Sequence, residues 1–180
     1  MASGGIDSTA CIHFYKQLEF EVNLIFFDYG QPSRKKEYSA ISSISKFYSI
    51  PLKKIVIKNF KTIKDGFVQG RNALFYFLAL SNFEKDNGII ASGIHYGTNY
   101  YDCSEAFLIQ IQEIFVKYSD STIKAAAPFL SFSKVDIQNY CKKENVPLYL
   151  TYSCELGKRQ PCGICKTCQD LLIINKNKCE

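Results

Sequence analysis

The 180-residue chain has little that points to a membrane or to secretion. No apolar run in it approaches the length of about 20 residues that crosses a bilayer. Its first residues lack the basic region and following apolar stretch of a secretory signal peptide. We therefore expect a soluble cytoplasmic protein that binds no membrane.

The chain also lacks the strong basic character of a nucleic-acid-binding protein. Its formal net charge is +5, from 22 Lys and Arg against 17 Asp and Glu. This modest excess suits a polyanionic nucleotide substrate, whereas a nucleic-acid binder needs a clustered basic face. No nucleic-acid partner is expected.

Cysteine is not scarce, but its distribution argues against a disulfide framework. Four of the eight cysteines form a C-x7-C-x2-C-x2-C pattern, namely Cys154, Cys162, Cys165 and Cys168. Four thiolates at this spacing can close a tetrahedron around Zn²⁺. An iron–sulfur cluster, paired disulfides and redox cysteines are the alternatives. Four sulfur ligands leave no open position on the metal, so it would stabilise the fold of the C-terminal part of the chain and would not activate water.

Strand and helix patterns alternate along the chain with short connections. Apolar runs predict strands, and apolar residues at helical spacing predict helices. The strands are expected over residues 22–27, 52–57, 88–93 and 123–127, and the helices over 8–18, 33–48, 73–83, 102–118 and 133–143. Ser133 and Asp136 predict a capping box at the start of the last helix. The alternation predicts an α/β fold with a doubly wound parallel sheet. We assign residues 1–150 to this domain and residues 151–180 to a zinc-binding C-terminal segment.

A glycine-containing loop near the start of the chain is the first candidate binding site. It consists of Ser3, Gly4, Gly5, Ile6, Asp7, Ser8 and Thr9. Its glycines allow N–H groups to converge, its hydroxyls add donors, and a helix N-terminus follows, which together favour phosphate. Asp7 would repel phosphate unless a divalent cation bridges them, so it predicts Mg²⁺. The alternative is an ordinary flexible turn with a helix cap.

Other polar residues are expected to lie beside this loop. Ligands bind beyond the carboxyl ends of parallel strands, where the strand order reverses. Arg71 and Asn72 precede a helix, and the segment from His95 to Asp102 follows the apolar run at 88–93. Arg71 and Lys134 would neutralise negative charge on a bound phosphate. The alternatives are solvated cations at Arg71 and Lys134 and a helix cap at Asn72.

These motifs occur in the order found in the 7-cyano-7-deazaguanine synthases, which the chain resembles over nearly its whole length. The shared stretches are residues 3–8, 27–31, 70–72, 101–103 and 151–168. The family is QueC-like and belongs to the N-type ATP pyrophosphatases, whose fold is that of the adenine nucleotide alpha-hydrolases. The loop also differs from a Walker loop, because no Gly-Lys-Ser/Thr follows it.

The resemblance implies an ATP-dependent ligase of queuosine biosynthesis. It would convert 7-carboxy-7-deazaguanine and ammonia to 7-cyano-7-deazaguanine through an adenylated carboxylate. By this resemblance Ser3, Gly4, Gly5, Asp7 and Ser8 would hold phosphate and Mg²⁺, Arg71 and Asn72 would contact ATP, and Asp102 would lie near the deazaguanine. From their positions we also expect Ile6 and Thr9 in the ATP-binding loop, His95 at the substrate pocket, and Asp7, Arg71 and Lys134 as the catalytic residues. The four tail cysteines would hold a structural zinc, and the family commonly forms homodimers.

The chain departs from the family pattern at three places. Gln69 replaces a proline, and the segment from His95 to Asp102 is short, with Ser104 where an arginine follows the cysteine. The short segment leaves open a ligase that joins the activated carboxylate to a protein or peptide amine, and the start of the chain leaves open an inactive nucleotide-binding homologue. Only Met1 and Ala2 precede the loop, where the family has a full strand. We expect a truncated first strand, a mobile loop and weak ATP binding.

Overall fold

The computed structural model describes residues 1–59, 68–97 and 100–176, with side chains described as far as residue 172. The helices are α1 (Ile6–Gln17), α2 (Arg34–Tyr48), α3 (Arg71–Ser81), α4 (Glu105–Ser119), α5 (Lys134–Lys143) and α6 (Lys166–Lys176). The strands are β1 (Leu24–Asp28), β2 (Leu52–Val56), β3 (Gly88–Ala91) and β4 (Ile123–Ala126). In this described part of the chain, no helix is long and apolar enough to span a bilayer.

The strands are parallel, which confirms the predicted α/β fold. β1 pairs with β2 from Leu24 opposite Leu52, and β3 pairs with β4 from Gly88 opposite Ile123. Among the described residues the sheet is divided into these two pairs. Met1 and Ala2 lie between them: Ala2 N–H donates to the carbonyl of Ile25 at 2.9 Å, and the Met1 ammonium donates to the carbonyl of Ala91 at 2.8 Å.

Three apolar clusters hold the helices against the strands. In the cluster beside β3 and β4, Tyr76 of α3 and Phe115 of α4 are fully buried. The cluster beside β1 contains Ile41 and Ile44 of α2, and a third joins α1 to α5. Burying these side chains removes apolar surface from water, which stabilises the fold.

Two helix starts depend on serine caps. Ser133 accepts a hydrogen bond from Asp136 N–H while the Asp136 carboxylate accepts one from Ser133 N–H, which confirms the predicted capping box of α5. The helix predicted over 102–118 begins later, at Glu105, because Ser104 caps it by accepting from Phe107 N–H. Residues 101–103 form a separate 3-10 turn.

The C-terminal segment packs against the glycine-containing loop. Tyr152 N–H donates to the carbonyl of Gly4 at 2.9 Å, so the tail contacts the glycine-containing loop directly. Three of the pattern cysteines, Cys154, Cys165 and Cys168, form a small buried cluster of their own. The division of the chain at residue 150 stays a prediction.

Candidate active site

The glycine-containing loop leads into α1, which begins at Ile6 and not at the predicted residue 8, so residues 6–9 form the first turn of the helix. Gly4 packs tightly against α2. Gly4 has φ +79°, and a Cβ there would lie 2.8 Å from the carbonyl oxygen of Glu37 and 2.9 Å from the amide nitrogen of Ile41. Gly5 is the residue before α1 and has φ −82°. Only glycine fits at position 4, since any side chain would collide with the α2 backbone.

The hydroxyl groups of the loop are partly used within it. Ser8 Oγ and Thr9 Oγ1 both donate to the carbonyl of Gly5, at 3.0 and 2.8 Å. Ser3 Oγ lies 3.3 Å from Ser8 Oγ. Thr9 is fully buried. These bonds fix the first turn of α1, whose free N–H groups form the positive end of the helix dipole.

Gly93, which follows β3, packs against the loop at a contact that the sequence did not predict. A Cβ on Gly93 would lie 2.8 Å from the backbone carbon and oxygen of Asp7 and 2.9 Å from the amide nitrogen of Ser8. The absence of a side chain therefore lets the end of β3 approach the loop. A glycine directly after an apolar strand was the available signal.

Side chains from two other parts of the fold, Lys134 and His95, lie beside the Asp7 carboxylate. Lys134 Nζ, from the first turn of α5, donates a hydrogen bond to Asp7 Oδ2. His95 Nε2, from the segment after β3, lies 3.9 Å from the same oxygen. Asp7 Oδ1 is buried and has no hydrogen-bond partner among the described residues. An unpaired buried carboxylate oxygen is costly, and a bound cation would satisfy it.

Burial favours the neutral form of the His95 imidazole. It is 7% exposed, and burial lowers its pKa; the nearby Lys134 ammonium lowers it further, while Asp7 opposes this. Its Nδ1 donates to the carbonyl of Tyr96 at 2.5 Å. Because Nδ1 carries the proton, Nε2 presents a lone pair toward Asp7.

Arg71 and Asn72 begin α3 and bond to neighbouring segments. Arg71 Nη1 donates to the hydroxyl of Tyr29 at 3.3 Å. Asn72 N–H donates to Asp102 Oδ2 at 3.2 Å, and Asn72 Nδ2 donates to the backbone carbonyl of Asp102 at 3.0 Å. The Asp102 carboxylate thus caps the start of α3, and its predicted contact with the substrate stays a prediction.

A cavity of about 700 Å³ brings most of the predicted site residues together. Those that line it are Ser3, Asp7, Ser8, Arg71, Asn72, His95 and Lys134. A smaller adjoining cavity of about 160 Å³ is lined by Gly5 and Ile6. Of the described residues predicted for the site, Gly4, Thr9 and Asp102 line neither cavity. Their roles as ligand contacts stay predictions.

Sequence reasoning also missed Glu37 of α2, which lines both cavities. Its carboxylate accepts hydrogen bonds from Ser33 Oγ at 2.7 Å and from Gln31 Nε2 at 2.9 Å. Nothing local in the sequence distinguishes Glu37 from other acidic residues in the first turn of a helix. Its place at the cavity follows only from how α2 packs.

The four pattern cysteines come together as predicted. Their Sγ atoms all lie within 4.8 Å of one another, and none is in a disulfide. The distance between the sulfurs of Cys162 and Cys168 is 3.9 Å. Four thiolates around a metal at about 2.3 Å give similar separations. The donor set therefore fits a tetrahedrally bound metal ion.

Backbone amides favour the thiolate form at one of these ligands. Burial opposes ionisation of the Cys154 thiol, but N–H groups of Cys162, Lys158 and Leu156 outweigh it and lower its pKa to about 6. Burial instead raises the pKa of Cys168 to about 12. A bound cation would stabilise both as thiolates.

Comparison with known proteins identifies a family for this sequence. The model of the family "Queuosine biosynthesis protein QueC" matches residues 1–66 and 57–171. The 7-cyano-7-deazaguanine synthase of Prochlorococcus marinus (strain MIT 9515) is 30% identical, over 94% of this chain and 88% of the relative. That of Campylobacter jejuni subsp. jejuni serotype O:2 is 28% identical, over 92% of this chain and 87% of the relative.

Among solved structures, the chain is similar to the U34-tRNA thiolase NcsA from Methanococcus maripaludis with its [4Fe-4S] cluster. The TM-score is 0.48 at 14% identity, covering 98% of this chain and 64% of that chain. The family match spans most of the sequence, including the loop at residues 3–9 and all four pattern cysteines. The chain belongs to the QueC family of queuosine biosynthesis proteins.

Proposed function

We propose that this chain uses ATP to activate the carboxylate of 7-carboxy-7-deazaguanine and joins ammonia to it, giving 7-cyano-7-deazaguanine. The observation that carries the proposal is the presence of Asp7, Arg71 and Lys134 in one cavity with the start of α1. Its volume of about 700 Å³ is suitable for small ligands. Membership of the QueC family supports the product.

The residues at the start of α1 would bind the phosphates of ATP. Free N–H groups of the first turn favour an anion, and the hydroxyls of Ser3 and Ser8 border the same cavity. Arg71 and Asn72 would contact the nucleotide from the start of α3. Arg71 and Lys134 then supply preplaced positive charge where negative charge increases on the α-phosphate.

Asp7 would hold Mg²⁺ through Oδ1. This oxygen is buried and has no partner among the described residues, and a carboxylate oxygen is a ligand that Mg²⁺ prefers. When bound, Mg²⁺ supplies positive charge that offsets the repulsion between Asp7 and phosphate. Lys134 orients the carboxylate through its other oxygen, Oδ2.

The proposed reaction has two activations. A carboxylate oxygen of the substrate attacks the α-phosphorus of ATP, and pyrophosphate leaves. Ammonia attacks the carbonyl carbon and loses a proton as AMP leaves, which gives the amide. The amide oxygen then attacks a second ATP, releasing pyrophosphate and one N–H proton. Loss of the remaining N–H proton and of AMP forms the nitrile.

We further propose Zn²⁺ for the four cysteines. The four sulfur atoms lie within 4.8 Å of one another, which suits a single tetrahedral ion. Because four thiolates leave the ion no open position, its role is to stabilise the fold of the segment. The Tyr152 to Gly4 hydrogen bond would link this braced segment to the phosphate-binding loop. We also propose a homodimer acting in the cytoplasm, as family membership suggests.

Isotope transfer tests the reaction directly. The protein is incubated with ATP, Mg²⁺, ammonium and 7-carboxy-7-deazaguanine that carries ¹⁸O in both carboxylate positions. The masses of the products are then measured by mass spectrometry. We expect the nitrile together with two AMP molecules for each nitrile, each carrying one ¹⁸O. Asp7→Asn is the matched control and should release little labelled AMP.

Other products would redirect the assignment. An amide with one labelled AMP, or an adduct with an added peptide amine, would indicate a ligase that stops at the amide. Absence of labelled AMP under all conditions would contradict carboxylate activation and favour a nucleotide-binding homologue without turnover.

A further inference from the structure

A second lysine faces the large cavity, from the cysteine-rich segment. Lys166 is the first residue of α6 and lines the cavity. Its Nζ lies 5.9 Å from the centre of the Tyr100 ring, which lines the same cavity. Within the described ranges Lys166 belongs to no ion pair, whereas Lys134 is paired with Asp7.

The backbone at Lys166 is fixed by its neighbours. Cys165 and Cys168 on either side are 8% and 2% exposed. Thr167 Oγ1 donates to Glu155 Oε1 at 2.5 Å, and Gln169 N–H donates to the carbonyl of Cys165 at 3.0 Å. The first turn of α6 is therefore anchored on both sides, which holds in place the backbone from which the Lys166 side chain extends to the cavity.

The two side chains offer complementary surfaces to one kind of ligand. An ammonium near an aromatic ring gains only a weak attraction, so its charge stays available for an anion. Tyr100 is 46% exposed, and its ring supplies a flat aromatic surface beside that charge. A planar heterocycle with a carboxylate can use both, through ring stacking and a charge-assisted hydrogen bond.

We infer that Lys166 and Tyr100 recognise the carboxylate-bearing ring of the acceptor substrate. This inference rests on the proposed function, which places the nucleotide at the start of α1 and the acceptor elsewhere in the cavity. Lys166 binds the carboxylate, and Tyr100 contacts the ring. The cysteine-rich segment thereby contributes a wall of the substrate site in addition to holding a metal.

Calorimetric titration of the full chain tests the assignment with three ligands. They are 7-carboxy-7-deazaguanine, the uncharged 7-deazaguanine that lacks the carboxylate, and ATP with Mg²⁺. Lys166→Met should weaken binding of the carboxylate ligand by about 10- to 100-fold, the usual worth of a hydrogen bond to a charged group. Its effect on the other two ligands should be under about twofold.

Two comparisons separate the charge from the ring. Lys158→Met is the matched control, because Lys158 is an exposed lysine of the same segment that lines neither cavity. It should change none of the three affinities. Tyr100→Ala should weaken both deazaguanines, while Tyr100→Phe, which keeps the ring, should bind them like the unaltered chain.

The outcomes are distinguishable. Equal binding of the carboxylate ligand by Lys166→Met and the unaltered chain would overturn this inference and leave the proposed function intact. A loss confined to ATP would overturn it in favour of a nucleotide contact. Failure of the unaltered chain itself to bind 7-carboxy-7-deazaguanine would contradict the proposed function before any variant is compared, and this inference with it.

Discussion

Lys134 donates a hydrogen bond to Asp7 although the two residues are 127 positions apart in the sequence. Both side chains are partly buried, with 28% and 22% of their surface exposed. The pair joins the first turn of α5 to the first turn of α1. Each side chain therefore stabilises the charge of the other, because removal of one leaves its partner partly buried and poorly solvated.

A double-mutant cycle should therefore show that Asp7 and Lys134 stabilise each other. Lys134→Met should destabilise the fold, because Asp7 then keeps its charge without a partner. Adding Asp7→Asn should recover part of the loss, with a coupling free energy of about 0.5–3 kcal/mol. Urea unfolding of the four proteins without nucleotide measures this energy. A value near zero would mean that the pair contributes nothing to stability.

Adjacent glycines of the loop should respond differently to alanine. At Gly4, with φ +79°, a Cβ would meet the α2 backbone at 2.8 Å, so Gly4→Ala should lower the free energy of unfolding by about 2–4 kcal/mol. At Gly5 the nearest atom would be Ser3 Oγ at 3.4 Å, an ordinary contact. Gly5→Ala should cost under about 1 kcal/mol. Equal losses in urea unfolding would contradict the described loop conformation.

Removing one cluster cysteine should release the metal. Elemental analysis of the purified chain should find about one zinc ion per chain, and Cys168→Ala should lose most of it, because three thiolates hold zinc less well. Cys141→Ala is the matched control: Cys141 is also buried but lies on α5, outside the cluster. Iron in place of zinc would instead support an iron–sulfur cluster bound by these cysteines.

The Asp102 carboxylate should stabilise the start of α3. It accepts a hydrogen bond from Asn72 N–H at 3.2 Å, so Asp102→Ala should cost about 0.5–2 kcal/mol, as loss of a helix cap does. Asp102→Asn, which keeps an acceptor oxygen, should cost less. Asp86→Ala, at an exposed position, serves as the control in thermal unfolding. A loss no larger than that of Asp86→Ala would argue against the cap.

Stability should decrease as the pH falls below about 7, in part because of His13. Burial lowers the pKa of His13, while the nearby Glu144 opposes this. Its Nδ1 lies 2.9 Å from the hydroxyl of Tyr48, and its Nε2 is buried without a hydrogen-bond partner among the described residues. A charged imidazole is therefore unfavourable in the folded chain.

In the unfolded chain His13 takes up a proton near its usual pKa of about 6.5. The unfolded state then binds more protons than the folded state between that value and the lowered one, so acid favours unfolding. Thermal unfolding between about pH 5.5 and 8 should give a shallower pH dependence for His13→Gln than for the unaltered chain. Some dependence should remain, because burial also lowers the pKa of His95. Identical slopes would show that His13 does not titrate differently on folding.

The sequence alone was enough for features that depend on neighbouring residues. Apolar spacing predicted the helices and parallel strands, since the period of a pattern fixes which face of an element is buried. Ser133 and Asp136 predicted the capping box of α5, and the spacing of the four cysteines predicted a compact cluster of sulfurs. The glycine-containing loop was likewise found at the start of α1. Each single helix or strand, the capping box and the cysteine cluster is formed within a short stretch of chain, whereas the pairing of the strands joins distant residues such as Leu24 and Leu52.

Only the tertiary structure decided which distant side chains meet. It brought Asp7, His95 and Lys134 together and placed Gly93 against the backbone of the loop. It also directed the Asp102 carboxylate to α3. Met1 and Ala2 join two strand pairs that no local pattern could assign. Such contacts depend on how helices and strands pack and on which rotamers the packing allows, and neither is encoded in the spacing of nearby residues.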